Sequence, residues 1–206
     1  MDIQLNFVNQ STDTNNSQVV IFQKNVATTF NQLAVAWTVL PISSLGGSNP
    51  VTIPMTTLGA GASDSWGNYS LMKPAQKGQL FAAVHTASGI DLRPAATPAG
   101  TNEITVTNGM ALGRINASIY RDNKLLAIQT GIAPQQKAVF AFNPTIWIGT
   151  APQVVEGQVM DSAIQSTVNT ELSLNGIASA DIVMSGGGSG ATAVPLTFTL
   201  QNVVNS

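Results

Sequence analysis

Apolar residues recur at every second position through much of this chain, a period that fits strands with one buried face and not amphipathic helices. Ile3, Leu5 and Phe7 alternate with Gln4 and Asn6, while Leu33, Val35, Trp37 and Val39 share a face. Residues 19–22 form a short run of the fully buried kind. Residues 138–148 and 193–204 are long segments rich in Val, Ile, Phe, Thr and Trp, the residues that suit a pleated surface.

Turn residues punctuate these segments. Asn108-Gly109, Asp122-Asn123 and Asn175-Gly176 each follow an alternating stretch and supply the positive φ angles of a two-residue hairpin. The expected arms are 104–107 before the first turn, then 115–121 with Leu125, Ala127 and Gln129 about the second. About the third they are Val168, Thr170, Leu172 and Leu174, with 182–184 returning. Further turn-rich connections at 46–50, 59–65, 95–100 and 185–190 give many short strands. The predicted fold is all-β, an antiparallel β-sandwich or jelly-roll-like arrangement with little or no helix. The 206 residues read as one sandwich domain over 1–206, with a long loop or sub-domain junction at 91–101. No repeat of fixed period is visible.

Composition narrows the function classes. Charged residues make up 9% of the chain, against about 25% in an ordinary soluble protein. Neutral polar residues replace them: 69 of 206 are Asn, Gln, Ser or Thr. With 44% hydrophobic residues the chain is not of the disordered class. A net charge of −2 with unclustered Lys and Arg argues against a nucleic-acid binder. Zero Cys removes disulfides, thiolate catalysis and Cys-type metal sites. The start, Met1-Asp2-Ile3-Gln4, lacks a basic segment followed by a continuous apolar one, so no signal peptide is expected. The longest apolar run, 33–42, is broken by Thr38 and Pro41, so no transmembrane helix is expected either. The expected location is the cytoplasm, or outside the cell by leaderless export.

The distribution of charge is less ordinary than its amount. No Asp, Glu, Lys or Arg occurs in 25–63, 138–155 or 182–206, windows of 39, 18 and 25 residues. Sheet proteins commonly blunt exposed edges with charge or proline. Such windows are either central strands covered on both sides or the uncharged centre of an interface.

Few motifs carry chemistry. His85 is the only histidine, no G-x-S-x-G sequence occurs, and His85 reads as a structural or surface residue. Asp13, Asn15 and Ser17 occupy the first, third and fifth positions of a calcium-loop pattern. The pattern then fails, with Gln18 where glycine is needed and Lys24 where the bidentate glutamate belongs, and an Asx-rich turn is expected. The cluster 185–190 lacks the Lys-Ser/Thr of a phosphate loop and reads as a hairpin loop.

Two segments suggest contact with a partner. Trp66 and Tyr69 form an aromatic platform able to stack on a sugar face, with Asp64 and Asn68 placed to bond its hydroxyls; the competing reading is that the rings cap a sheet end. A hairpin over 166–193, carried by Val168, Leu172, Leu174, Asn175 and Gly176, has one arm with the alternation of a membrane-inserting strand and one without it. The reading of the whole is a non-catalytic interaction or structural protein, needing no cofactor and no metal, that forms homo-oligomers through uncharged β surface. The alternatives are a membrane-active or pore-forming toxin using 166–193 and a lectin-like module centred on Trp66.

Overall fold

The structure is a computed structural model that describes residues 2–13, 17–27, 34–95, 100 and 102–206. It is all-β, 57% strand and 5% helix. The strands are β1 (Ile3–Asn9), β2 (Gln18–Phe22), β3 (Thr38–Pro41), β4 (Ser48–Ile53), β5 (Leu58–Asp64), β6 (Lys73–Ala75), β7 (Leu80–Thr86) and β8 (Gly89–Pro94). They continue with β9 (Ile104–Asn108), β10 (Ile115–Arg121), β11 (Lys124–Ile132), β12 (Lys137–Phe140), β13 (Thr145–Ala151), β14 (Thr170–Ser173), β15 (Ile177–Gly187) and β16 (Val194–Asn205). Among the described residues one short α-helix, α1 (Ser162–Thr167), precedes β14, and a 3-10 turn spans Gly190–Thr192.

The strands form two compact units. The first comprises Met1–Gln23, Ala36–Thr56 and Pro144–Ser206, and the second comprises Lys24–Val35 and Thr57–Asn143. Each unit holds two four-stranded sheets: β16-β15-β1-β4 and β14-β13-β2-β3 in the first, β11-β10-β5-β6 and β12-β9-β7-β8 in the second. Alternation translates directly into burial. Ile3, Leu5 and Phe7 in β1, and Ile115, Ala117 and Ile119 in β10, turn inward. The unbroken apolar run Val19–Phe22 belongs to β2, a central strand between β13 and β3 with none of the four residues exposed. Burying each such large apolar side chain contributes about 1.5–3 kcal/mol.

The two units have one topology in permuted order. If β5 to β12 are matched in turn with β13, β14, β15, β16, β1, β2, β3 and β4, the sheets of the second unit become those of the first, strand for strand. All six pairings agree in direction, including the single parallel pair in each unit, β7 with β9 and β15 with β1. The chain therefore consists of four four-strand modules in which the third repeats the first and the fourth repeats the second. The first unit joins modules one and four; the second joins modules two and three.

A shared set of hydrogen bonds recurs at one point in each unit. Asn9 ends β1 and Asn108 ends β9, 3% and 0% exposed. Asn9 Nδ2 donates to Ser43 O at 2.7 Å, and Asn108 Nδ2 donates to Ile132 O at 2.9 Å. Each Oδ1 accepts the backbone N–H two residues on, from Ser11 and Met110. Each asparagine N–H donates to a carbonyl just before the following edge strand, Gly47 or Gln136. The preceding residue, Gly46 or Gln135, donates back to the asparagine's own carbonyl. Both of those residues hold positive φ, +80° and +64°. The next amides, Gln10 and Gly109, donate to Met184 and Ala83 on the parallel partner strands. The separations are unequal: 99 residues from Asn9 to Asn108, 89 from Gly46 to Gln135, and 101 from Ala83 to Met184. No single period aligns the modules, so the repeat that the sequence conceals emerges only from strand pairing.

Several expectations are corrected. Asp122-Asn123 does form a two-residue hairpin, both residues at positive φ, between β10 and β11. Asn108-Gly109 does not, because the asparagine side chain is drawn inward and β10 pairs with β5. Asn175-Gly176 turns the chain from one sheet into the other, since β14 pairs with β13 and β15 with β1 and β16. Segment 138–148 divides into the end of β12 and the start of β13. The strand expected over 33–39 begins only at Thr38, with Leu33 outside the described residues. Of the expected junction 91–101, residues 91–94 complete β8 in the second unit, and 96–99 and 101 lie outside the described residues.

Replacing Asn108 by Ala strands the Ile132 and Gly113 carbonyls and the Met110 amide. Chemical denaturation should then show a loss of about 2–4 kcal/mol, whereas Asn102→Ala, at an exposed position, should change stability by less than about 0.5 kcal/mol.

Candidate functional site

The loop Ser65–Met72 leaves β5 in the second unit and presents the residues of the expected platform. Asp64, the last residue of β5, is 4% exposed and fixes the loop from inside. Its Oδ1 accepts the backbone N–H groups of Trp66 and Asn68, both at 2.9 Å, and its Oδ2 accepts Asn68 Nδ2 at 2.8 Å. This is an Asx turn closed by a side-chain amide, the local structure that Asp before a short polar run favours. Burial works against the Asp64 charge. The bonds from the Asn68 side chain and from the Asn68 and Trp66 amides, with His85 nearby, outweigh it and hold the carboxyl below the ordinary aspartate value.

Asp64 and Asn68 are therefore bonded to each other. Their polar atoms shape the loop, and the rings are what it offers outward. Tyr69 is 79% exposed and Trp66 62%. The Trp66 ring lies over Gly113, where a Cβ would come within 2.6 Å of it, and beside His85 with ring centroids 5.8 Å apart and planes tilted by 51°. Only glycine allows this approach, and the φ of +90° at Gly113 favours glycine independently. Leu71, Met72 and Leu112 are exposed as well, so aliphatic surface accompanies the two rings. The sequence hid this grouping: Leu112 and His85 reach Trp66's neighbourhood through β9–β10 and β7, and single apolar residues in turns carry no periodic signal.

The hairpin expected over 166–193 is not formed. Val168 caps α1 and is fully buried, and Leu172 and Leu174 of the β14 arm are buried too. Asp161 explains the helix, its carboxylate accepting the Ile164 N–H at 2.8 Å as an N-cap. Gly176, at φ +72°, turns the chain out of that sheet, so β14 and β15 are not the two paired arms of one hairpin. Among the described residues no helix is long and apolar enough to cross a membrane.

Asp13 and Ser17 line an open groove of about 490 Å³ in the first unit, with Gln18, Pro41, Ile42, Ser43 and Ser44. Gln18 Oε1 there accepts the Val154 N–H at 3.0 Å. Asn15 of the calcium-like pattern lies outside the described residues.

The second distinctive surface is the β15–β16 hairpin. β16 is 12 residues long and stands at the edge of its sheet, paired only with β15. Most of it is exposed on both faces, Val194, Val203 and Val204 included, while Phe198 points inward. The register is regular from Thr197 to Gln201 and shifts at either end, with Asn202 at φ +50° marking one bulge. That regular stretch equals a typical strand in length.

Because the folded-state pKa of Asp64 is lowered, its contribution is present at neutral pH and is lost only as pH falls through that lowered value. The Asp64 carboxyl carbon resonance should hold its ionised position from about pH 7 down to about pH 4 and move only below it, the ordinary aspartate pKa being about 3.9. Asp64→Ala should displace the Trp66 indole N–H resonance at neutral pH. A midpoint above the ordinary aspartate value contradicts the bonding described. Comparison with family models, with curated proteins and with solved structures finds no match of significance in any of the three.

Proposed function

We propose that this chain is a non-catalytic structural protein whose copies associate through the β16-β15-β1-β4 sheet of the first unit, by strand pairing at β16. The observation that carries the proposal is how β16 differs from the other seven edge strands. Each of those carries a charge or a proline that discourages pairing: Pro41 in β3, Pro50 in β4, Lys73 and Pro74 in β6, and Asp91, Arg93 and Pro94 in β8. Lys137 does so in β12 and Glu171 in β14. β11 begins with Lys124 and is bridged at Ala127 by Ala34. In β16, Pro195 stands second, and the ten residues after it contain neither charge nor proline.

Charged side chains and proline are the usual devices against edge-to-edge pairing, because the first repel or need water and the second has no N–H to donate. β16 after Pro195 lacks both and lies within the uncharged window 182–206. The partner that fits is a second copy of the same strand: an uncharged edge is complementary to itself, and two-fold pairing of one patch is the commonest closed assembly. The exposed valines at both ends of β16 add apolar area to such a contact.

A second reading, binding of a carbohydrate at Trp66 and Tyr69, is favoured by the exposure of both rings on a loop held from beneath by Asp64. Under it, Trp66→Ala abolishes retention on a glycan array that the unmodified chain shows.

For the main proposal, native mass measurement at micromolar concentration should give a dimer or larger species. Thr199→Lys, at an exposed position in the regular stretch of β16, should give the monomer with an unchanged circular dichroism spectrum. A strictly monomeric mass for the unmodified chain overturns it.

A further inference from the structure

The modular architecture adds a route to the self-association just proposed, and it rests on that reading. In the second unit the two modules are neighbours in the chain, β5–β8 running directly into β9–β12. In the first unit, β1–β4 and β13–β16 are separated by the whole of residues 57–143. They are held together by side-by-side strands, β1 parallel to β15 from Gln4/Ser179 to Asn9/Met184 and β2 antiparallel to β13 from Gln18/Ala151 to Phe22/Trp147, and by bonds beside them such as Gln10 N–H to Met184 O, Ala36 N–H to Gln158 O and Gln23 Nε2 to Thr145 O. Nothing in those pairings requires both modules to belong to one chain. Neither module can stand open, because Phe7, Ile21, Ile148 and Ile182 are all wholly buried in the closed unit and would face water in an isolated module.

We propose that copies of this chain join head to tail by module exchange, β13–β16 of one copy completing the first unit on β1–β4 of the next. The contacts made are those of the closed monomer, so the choice between forms is set by concentration against the effective concentration of a chain's own second module. For short flexible tethers that is of the order of 1 mM and it falls for longer ones, so a chain concentration near 1 mM favours exchange. The contact is heterologous, one face on the first module and a different one on the fourth, so it propagates as a ring or an open filament. Charge does not favour the chain's own module, since β2 and β13 carry none, β1 carries none, and β15 carries only Asp181.

Asn6 Nδ2 lies 3.2 Å from Asp181 Oδ1 across the β1–β15 pair, and the chain has no native cysteine. Two full-length variants, Asn6→Cys and Asp181→Cys, are mixed in denaturant and refolded together, at about 1 mM in one arm and about a thousandfold lower in the other. Exchange predicts a disulfide-linked heterodimer, with longer uncrosslinked species by mass, in the concentrated arm. It predicts none in the dilute arm and none when the folded variants are mixed without unfolding. Gln4→Cys with Ser179→Cys, one register pair from the end of the same ladder, repeats the test should either first variant fail to refold. Oligomers by mass without the cross-link overturn exchange and leave edge pairing at β16 standing, because in edge pairing β1 of one copy never adjoins β15 of another. A monomer in every arm overturns both.

Discussion

A buried primary amide organises each unit. Asn9 and Asn108 each end a strand, and each side chain donates and accepts at once: Nδ2 donates to the carbonyl of Ser43 or Ile132, and Oδ1 accepts the amide two residues on. Around each, the asparagine's own N–H and C=O pair with the approach to the neighbouring edge strand, and the following amide bonds the parallel strand. Three chain segments distant in sequence are thereby fixed to one residue. A buried amide is stable only if fully satisfied, so this geometry admits little variation. Its recurrence in both units, with Asn108 adding a bond to Gly113 O and Asn9 one from Ser11 Oγ, is the firmest sign that they are one architecture used twice.

Where the two copies of the architecture diverge, the surfaces with functional promise appear. The connection from β5 to β6 is the short loop with Trp66 and Tyr69, held by Asp64; its counterpart from β13 to β14 is longer and carries α1. The hairpin β7–β8 is compact, with arms of seven and six residues, whereas β15–β16 has arms of 11 and 12. The extended hairpin is the one without charge beyond Asp181. Stability is common to both units, and elaboration is specific to each, which is why the assembly reading rests on β16 and the ligand reading on the Trp66 loop.

Much of the fold was legible in the sequence, because a strand with one buried face writes its period into the residues. β1, β2, β9, β10 and β16 follow their expected segments closely, and Asp122-Asn123 announced its hairpin through positive φ. What was illegible depends on long-range pairing. Asn108-Gly109 and Asn175-Gly176 have the composition of hairpin turns, yet one is an inward-facing hydrogen-bonding centre and the other a crossing between sheets. α1 hid among Ser, Thr and Gln of middling helix propensity and was formed by its Asp161 cap. The repeat left almost no trace, since six of the seven matched connections differ in length. Trp66 and Tyr69 were found, while the inward role of Asp64 was not, because composition cannot say which way a carboxylate turns.

The chain closes as two units interleaved along the sequence, modules one and four in the first and modules two and three in the second. Native-state amide hydrogen exchange resolved by residue tests it most directly, since cooperative units exchange together. β1–β4 should lose protection with β13–β16, and β5–β8 with β9–β12, so that the amides of Asn9 and Met184 share one opening free energy and those of Asn108 and Ala83 another. Protection of β1–β4 lost together with β5–β8, in simple chain order, would contradict it.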